Sequence, residues 1–302
     1  MSIPGPRAVL SAAPAWSYFV GSAVFHYLGP AFAVLLFARV APLGVAGLRI
    51  WSAALVLALW RRPWRTLARL GRGGRRTIVT WGAVLAVMNA CFYLAIDRLP
   101  LGTVAAIEFL PVIGLAALGA RTARNVVALA AAAGGVYVLT DLRWEGAPIG
   151  FVLAFANAVL FACYIMLAHR AARLGRGIGG IDGLAAAMLA ASAFALPLAV
   201  WQAAPTLADP VALGAGAGVG ICSSVIPYVC DQLAMARMAR STYALLVALL
   251  PATATVIGAV VLRQLPLLPE LIGVALVVLA VALHREHPSA QERDTPDSAR
   301  RD

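Results

Sequence analysis

Residues 88–118 read MNACFYLAIDRLPLGTVAAIEFLPVIGLAAL. Two apolar runs meet at the polar turn Asp97-Arg98-Leu99-Pro100. Glu108 follows Pro100 by eight residues, and none of the next twelve positions holds an arginine, a lysine or a second acid. Stretches of this length and polarity cross ~30 Å of hydrocarbon as helices. A charge at the bilayer centre costs about 2.5–3.5 kcal/mol on insertion scales, so an acid kept there has a use or a partner. The stretch therefore reads as a membrane hairpin with one acid in its second helix.

The rest of the chain agrees. Of 302 residues, 62% are hydrophobic and 12% charged, and the mean hydropathy is +0.87. Soluble domains are about 25% charged. The net charge of +11 comes from arginine alone, since the chain has no lysine. These arginines sit in short gaps between apolar runs, which fits the positive-inside rule. No basic surface interleaved with aromatics is present, so a nucleic-acid partner is excluded. Cys91, Cys163, Cys222 and Cys230 lie inside apolar runs with no CxxC spacing, and read as small buried hydrophobes. The first residues lack a convincing cleavable signal.

The pattern predicts ten transmembrane helices, at 15–37, 42–60, 77–97, 100–120, 124–140, 147–168, 181–202, 210–234, 241–262 and 267–283. The tail 284–302, HREHPSAQERDTPDSARRD, is too polar to bury a core and is expected to be a disordered cytoplasmic tail. Counted by gap, 19 arginines fall on one side and 4 on the other, with Arg49 inside the second span. That asymmetry predicts both termini in the cytoplasm.

Phe92–Pro111 (FYLAIDRLPLGTVAAIEFLP) resembles Val229–Pro251 (VCDQLAMARMARSTYALLVALLP), a shift of about 140 residues. Two five-helix units, 15–140 and 147–283, fill the chain. An odd helix number inverts the second unit, giving a 5+5 inverted repeat, an architecture common in transporters.

The block Met88–Phe109 also resembles the threonine/homoserine exporter group of EamA-type transporters, in the drug/metabolite transporter superfamily. The matching residues are Met88-Asn89, Phe92-Tyr93-Leu94, Pro100-Leu101-Gly102 and Glu108-Phe109. Leu48–Arg65, Tyr164–Ala172 and Ser223–Met238 resemble the family's second, sixth and eighth helices. The resemblance implies a plasma-membrane (inner-membrane) exporter of small amino acids or related metabolites, driven by protons. The chain departs from the family pattern at Leu250, which precedes Pro251 where relatives often carry an acid.

Candidate substrate- or proton-binding residues are Glu108, Asn89, Tyr93, Arg49, His26 and Tyr164. Glu108 lies roughly 12 Å into its helix at 1.5 Å per residue. It either faces an internal vestibule, binding an ammonium group or a proton, or is a structural carboxyl paired with a neighbouring helix. Arg49 either clamps a substrate carboxylate, pairs with Glu108, or reaches to the outer headgroups. His26 is a titratable group or a packing residue. Asn89 and Tyr93 share a helix face at i, i+4, where they line a cavity or join helices. Tyr164 edges the pathway or settles at an interface.

Asp231 is expected to form a cytoplasmic gate pair with Arg237, or to serve as a proton site. In GAGAGVGICSSVIP, Gly214/Gly218 and Gly216/Gly220 are spaced for close helix contact, and Pro227 removes a backbone hydrogen bond. Gly218, Gly220 and Pro227 are the candidate hinge. The seven-arginine gap RRPWRTLARLGRGGRR either sets orientation or binds anionic lipid. No P-loop, HExxH or GxSxG is present, so the sequence calls for no cofactor, no metal and no enzymatic activity.

Overall fold

The computed structural model describes residues 14–111, 123–141, 147–173, 180–235, 246 and 249–283. Among these, all regular structure is helical. Six helices among the described residues are long and apolar enough to cross a membrane. The expected tail, Arg237, and the links after Pro111 and Met235 lie outside the described residues.

The helices are α1 (Ala15–Leu36), α2 (Pro42–Arg61), α3 (Pro63–Arg69), α4 (Arg72–Ile96), α5 (Leu101–Glu108) and α6 (Ala123–Asp141). There follow α7 (Pro148–Ala172), α8 (Gly180–Ala203), α9 (Pro210–Gly220), α10 (Ile226–Met235), α11 (Leu250–Leu262) and α12 (Leu268–Leu283). Proline sets many of the starts. Pro42, Pro63, Pro148 and Pro210 each stand in the first helical turn, where no N–H is needed. Pro100 caps α5 in extended geometry. Asp209 caps α9 by accepting from the N–H groups of Val211 and Ala212 at 3.0 and 3.1 Å.

Three local features depart from the sequence expectation. The helix expected at 77–97 begins at Arg72, because RGGRR continues the helix out of the apolar region. The arginine-rich gap contains the extra helix α3. A π-helical turn, Ile221–Val225, separates α9 from α10.

Packing joins elements distant in sequence. Helix α2 packs on α8 and α9, α4 on α7 and α8, α5 on α7 and α11, α6 on α12, and α1 on α10 and α11. The largest core holds Tyr27, Tyr93, Leu101, Ile107 and Phe151, all fully buried. Many leucines and valines instead face outward, as lipid-facing helices require.

The starts of α2 and α5 are held alike. Leu43 N–H donates to Gln202 Oε1 at 3.1 Å, and Leu101 N–H donates to Gln264 Oε1 at 3.2 Å. Each glutamine satisfies a donor that a helix start leaves open. Both come from the second half of the chain, 159 and 163 residues away.

Candidate functional site

Arg49 and Glu108 are carried by the two helices so held, α2 and α5. Arg49 lies six residues after Leu43, and Glu108 seven after Leu101. Both therefore sit about 10 Å inside their helices.

Arg49 is held by neutral groups. Its Nη1 donates to Asn89 Oδ1 at 2.6 Å, its Nε to Ser224 Oγ at 3.2 Å, and its Nη2 to the Ser223 carbonyl at 3.3 Å. Its guanidinium stands over the Tyr93 ring, 5.6 Å from the centroid, a cation–π distance. Asn89 is itself fixed, since its Nδ2 donates to the Leu85 carbonyl at 2.8 Å. The Ser223 carbonyl is available for a local reason. Its partner four residues on would be the N–H of residue 227, and Pro227 has none. The π turn around it is the kind of helix irregularity that gathers at functional sites.

Glu108 is buried, 9% exposed, at the end of α5. Asn157 of α7, fully buried, donates from Nδ2 to Glu108 Oε1 at 3.2 Å. Arg49 and Glu108 make no ion pair, so that sequence alternative is not what the structure adopts. The physical reason is that asparagine, serine and tyrosine already occupy the guanidinium. The headgroup alternative fails too, because these contacts turn Arg49 inward. Around the two charges, Tyr27 Oη and Asn157 Oδ1 are buried without a hydrogen-bond partner. Tyr93 Oη lies near Arg49 and Ser223 without good hydrogen-bond geometry.

The other candidates are placed as follows. His26 is half-buried one residue before Tyr27, their rings edge-on at 5.1 Å. Tyr164 stacks on Phe161 with centroids 6.0 Å apart and packs against Trp81 at 5.6 Å. Phe161 in turn meets Phe109 edge-on at 6.2 Å. Asn157, Phe161 and Tyr164 thus share one face of α7 at helical spacing. Asp231 is half-buried on α10 and has an interaction partner, while its expected partner Arg237 lies outside the described residues.

The glycines divide. A Cβ on Gly220 would come 2.6 Å from the Arg49 carbonyl oxygen, and one on Gly216 2.6 Å from Leu48 Cδ1. Gly214 and Gly218 face open space. Only one of the two expected small-residue stripes makes a close helix contact, because a single face of α9 meets α2.

The vestibule expected beside Glu108 is not supplied by either of two cavities. One, of about 350 Å³, is lined by Asp97, Arg98, Thr103, Thr255, Gln264 and Glu270. The other, of about 470 Å³, is apolar and lies against Leu110, Leu129 and Val136. Gly102 of α5 lies against Thr255 of α11, and both residues line the first cavity.

Sequence reasoning passed over Asn157, Ser223 and Ser224. Asn157 was findable as the one amide in the apolar run of α7, with aromatics four and seven residues on. The serines precede Pro227 by four and three residues, where proline leaves a carbonyl without its helical donor.

Residues 148–285 match the family model described as EamA-like transporter family. The threonine/homoserine exporter RhtA of Escherichia coli (strain K12) is 28% identical over 256 residues, which are 83% of this chain and 84% of that protein. The threonine/homoserine exporter RhtA of Salmonella typhimurium (strain LT2) is 29% identical over 239 residues, 78% of this chain and 79% of that one. A crystal structure of a protein 20% identical to this chain covers 89% of it and 97% of its own length. Its TM-score of 0.57 shows a shared fold. With its apolar spanning helices, a buried Glu108 and a partly buried Arg49, the chain is a multi-pass membrane protein that is similar to EamA-type transporters and resembles the threonine/homoserine exporters.

Proposed function

We propose that the chain exports small amino acids of the threonine/homoserine kind, or related zwitterionic metabolites, by proton-coupled alternating access. The observation that carries this reading is the separation of Arg49 from Glu108. The described contacts of Arg49 are all neutral, and Glu108 is bonded by a neutral amide. A zwitterion supplies the complement: its carboxylate suits the guanidinium fork, and its ammonium suits the carboxylate. Tyr27 Oη, Tyr93 Oη and Asn157 Oδ1 are nearby polar atoms with hydrogen-bonding capacity left over. Glu108 takes the proton in alternation with the substrate, and Asn89, His26 and Tyr164 flank the route.

In this reading ten spans form two inverted units, with both termini in the cytoplasm and the chain in the plasma membrane. The packing supports the repeat. Numbered as the ten expected spans, the contacts 3–6 and 8–1 correspond under a shift of five, as do 3–7 with 8–2 and 4–6 with 9–1. The pairs 2–7, 4–9 and 5–10 map onto themselves. Asp231 with Arg237 gates the cytoplasmic side, and Gly218, Gly220 and Pro227 flank the bend. The aromatic row Phe109–Phe161–Tyr164–Trp81 favours, as a second reading, an amphipathic metabolite or drug.

Counterflow in proteoliposomes with a panel of labelled amino acids tests the proposal, comparing wild type with Glu108→Gln. Threonine or homoserine exchange that collapses in the variant is expected. Full, pH-independent transport by the variant removes Glu108 from coupling. Transport of no amino acid moves the assignment to the second reading.

A further inference from the structure

The short helix α3 has no part in the proposed transport site, yet its construction is specific. Arg62 stands at the corner between α2 and α3 in left-handed geometry, φ 51°. This turns α3 sharply away from the spanning helix. Its inner side is fixed: Pro63 and Thr66 are buried, and Leu67 and Leu70 join a cluster with Ile78, Trp81, Ala171 and Leu184. Its end is fixed by Arg75, whose Nε donates to the Leu67 carbonyl at 2.9 Å and whose Nη2 donates to the Ala68 carbonyl at 3.3 Å. A seven-residue helix does not hold its shape alone in water. Here the core and Arg75 hold it against the body of the protein.

The outer side carries Arg62, Trp64, Arg65 and Arg69, all exposed. Arg65 and Arg69 are spaced i, i+4 on α3, and Arg62 stands three residues before Arg65 at its N-cap. Trp60, at the end of α2, is 50% exposed, and Trp64 is 52% exposed. Of the seven arginines in this gap, Arg61 is paired with Asp182 at 2.8 Å and Arg75 serves as the clamp just described. Arg62, Arg65 and Arg69 have no acidic partner among the described residues. Tryptophan and arginine at the end of a spanning helix belong at headgroup depth. Three uncompensated guanidinium groups there are complementary to phosphate.

We propose that Arg62, Arg65 and Arg69, flanked by Trp60 and Trp64, form a docking site for anionic phospholipid headgroups of the leaflet they face. Setting the orientation of the chain needs only the positive charge, wherever it lies in the gap. A rigid helix, clamped from behind and presenting its arginines on one side, goes beyond that need.

Native mass spectrometry of the full chain, released from detergent containing equal phosphatidylglycerol and phosphatidylcholine, tests the site. Wild type is expected to retain phosphatidylglycerol preferentially. The triple variant Arg62→Gln/Arg65→Gln/Arg69→Gln is expected to lose on the order of 100-fold in that affinity, about one surface arginine's share for each. The corresponding triple arginine-to-lysine variant keeps the charge and is expected to retain most of the preference. Free glycerol phosphate is expected not to displace the lipid. Helical circular dichroism checks each variant. If the triple glutamine variant does not fold, Arg65→Gln and Arg69→Gln alone are each expected to weaken retention several-fold. Equal retention of the two lipids by wild type, undiminished preference in the folded glutamine variants, or displacement by free glycerol phosphate overturns the proposal.

Discussion

Asn157 of α7 donates to Glu108 of α5 across 3.2 Å, and both side chains are buried. Removing a buried partner of an ionisable group leaves that group unsatisfied, at a cost of about 1–3 kcal/mol. Asn157→Leu is therefore expected to lower the melting temperature in detergent and to reduce counterflow. Asn157→Gln, which keeps the amide, should recover part of both. A Leu variant as stable and active as wild type would show that the contact has no role.

Arg49 is a fork, and its three hydrogen bonds use three different nitrogens. Lysine offers one nitrogen on a flexible stem and cannot span Asn89, Ser223 and Ser224 together. Arg49→Lys is expected to lose about 2 kcal/mol of stability through the abandoned contacts, with transport falling as far as in Arg49→Gln. Thermal unfolding and counterflow on the same preparations check both parts. Transport retained in the lysine variant would show that charge alone suffices.

The two candidate hinge glycines are expected to separate cleanly. Gly220→Ala places a methyl against the Arg49 backbone and Ser52, at a cost of about 1–3 kcal/mol. Gly218→Ala meets nothing within 4 Å and should leave stability unchanged or slightly raised. Melting temperatures of the two single variants decide the matter.

At the rim, Asp209 is held below its ordinary carboxylate value of 3.8. The N–H of Ala212 is the main cause, with Arg39 and the N–H of Val211 adding to it. A depressed folded-state pKa contributes stability that is complete above the ordinary value and lost as pH falls through the lower one. Melting curves of wild type should therefore drop further than those of Asp209→Asn on acidification below about pH 4. Parallel curves would show that the cap and the 3.1 Å pair with Arg39 are without thermodynamic weight.

The six long spans were legible because a bilayer demands about twenty apolar residues per crossing and arginine marks the gaps. Glu108 stood out for the same reason, as an acid with no local partner. The partners themselves were hidden. Asn157 is 49 residues from Glu108, and Ser224 is 175 from Arg49, and no local periodicity reports pairings of that span. The seven-residue helix α3 was masked because its arginine content resembles a loop, whereas a few apolar anchors and Arg75 suffice to order it. The glycine stripes misled because spacing says that a close approach is possible without saying which face meets a neighbour.

Gln202 and Gln264 reach from the later part of the chain to grip the first turns of the helices that carry Arg49 and Glu108. Each grip is a single amide, weak enough to let go and directional enough to reseat in register. A motion that breaks either contact frees the first turn of the helix it holds, α2 by Gln202 and α5 by Gln264.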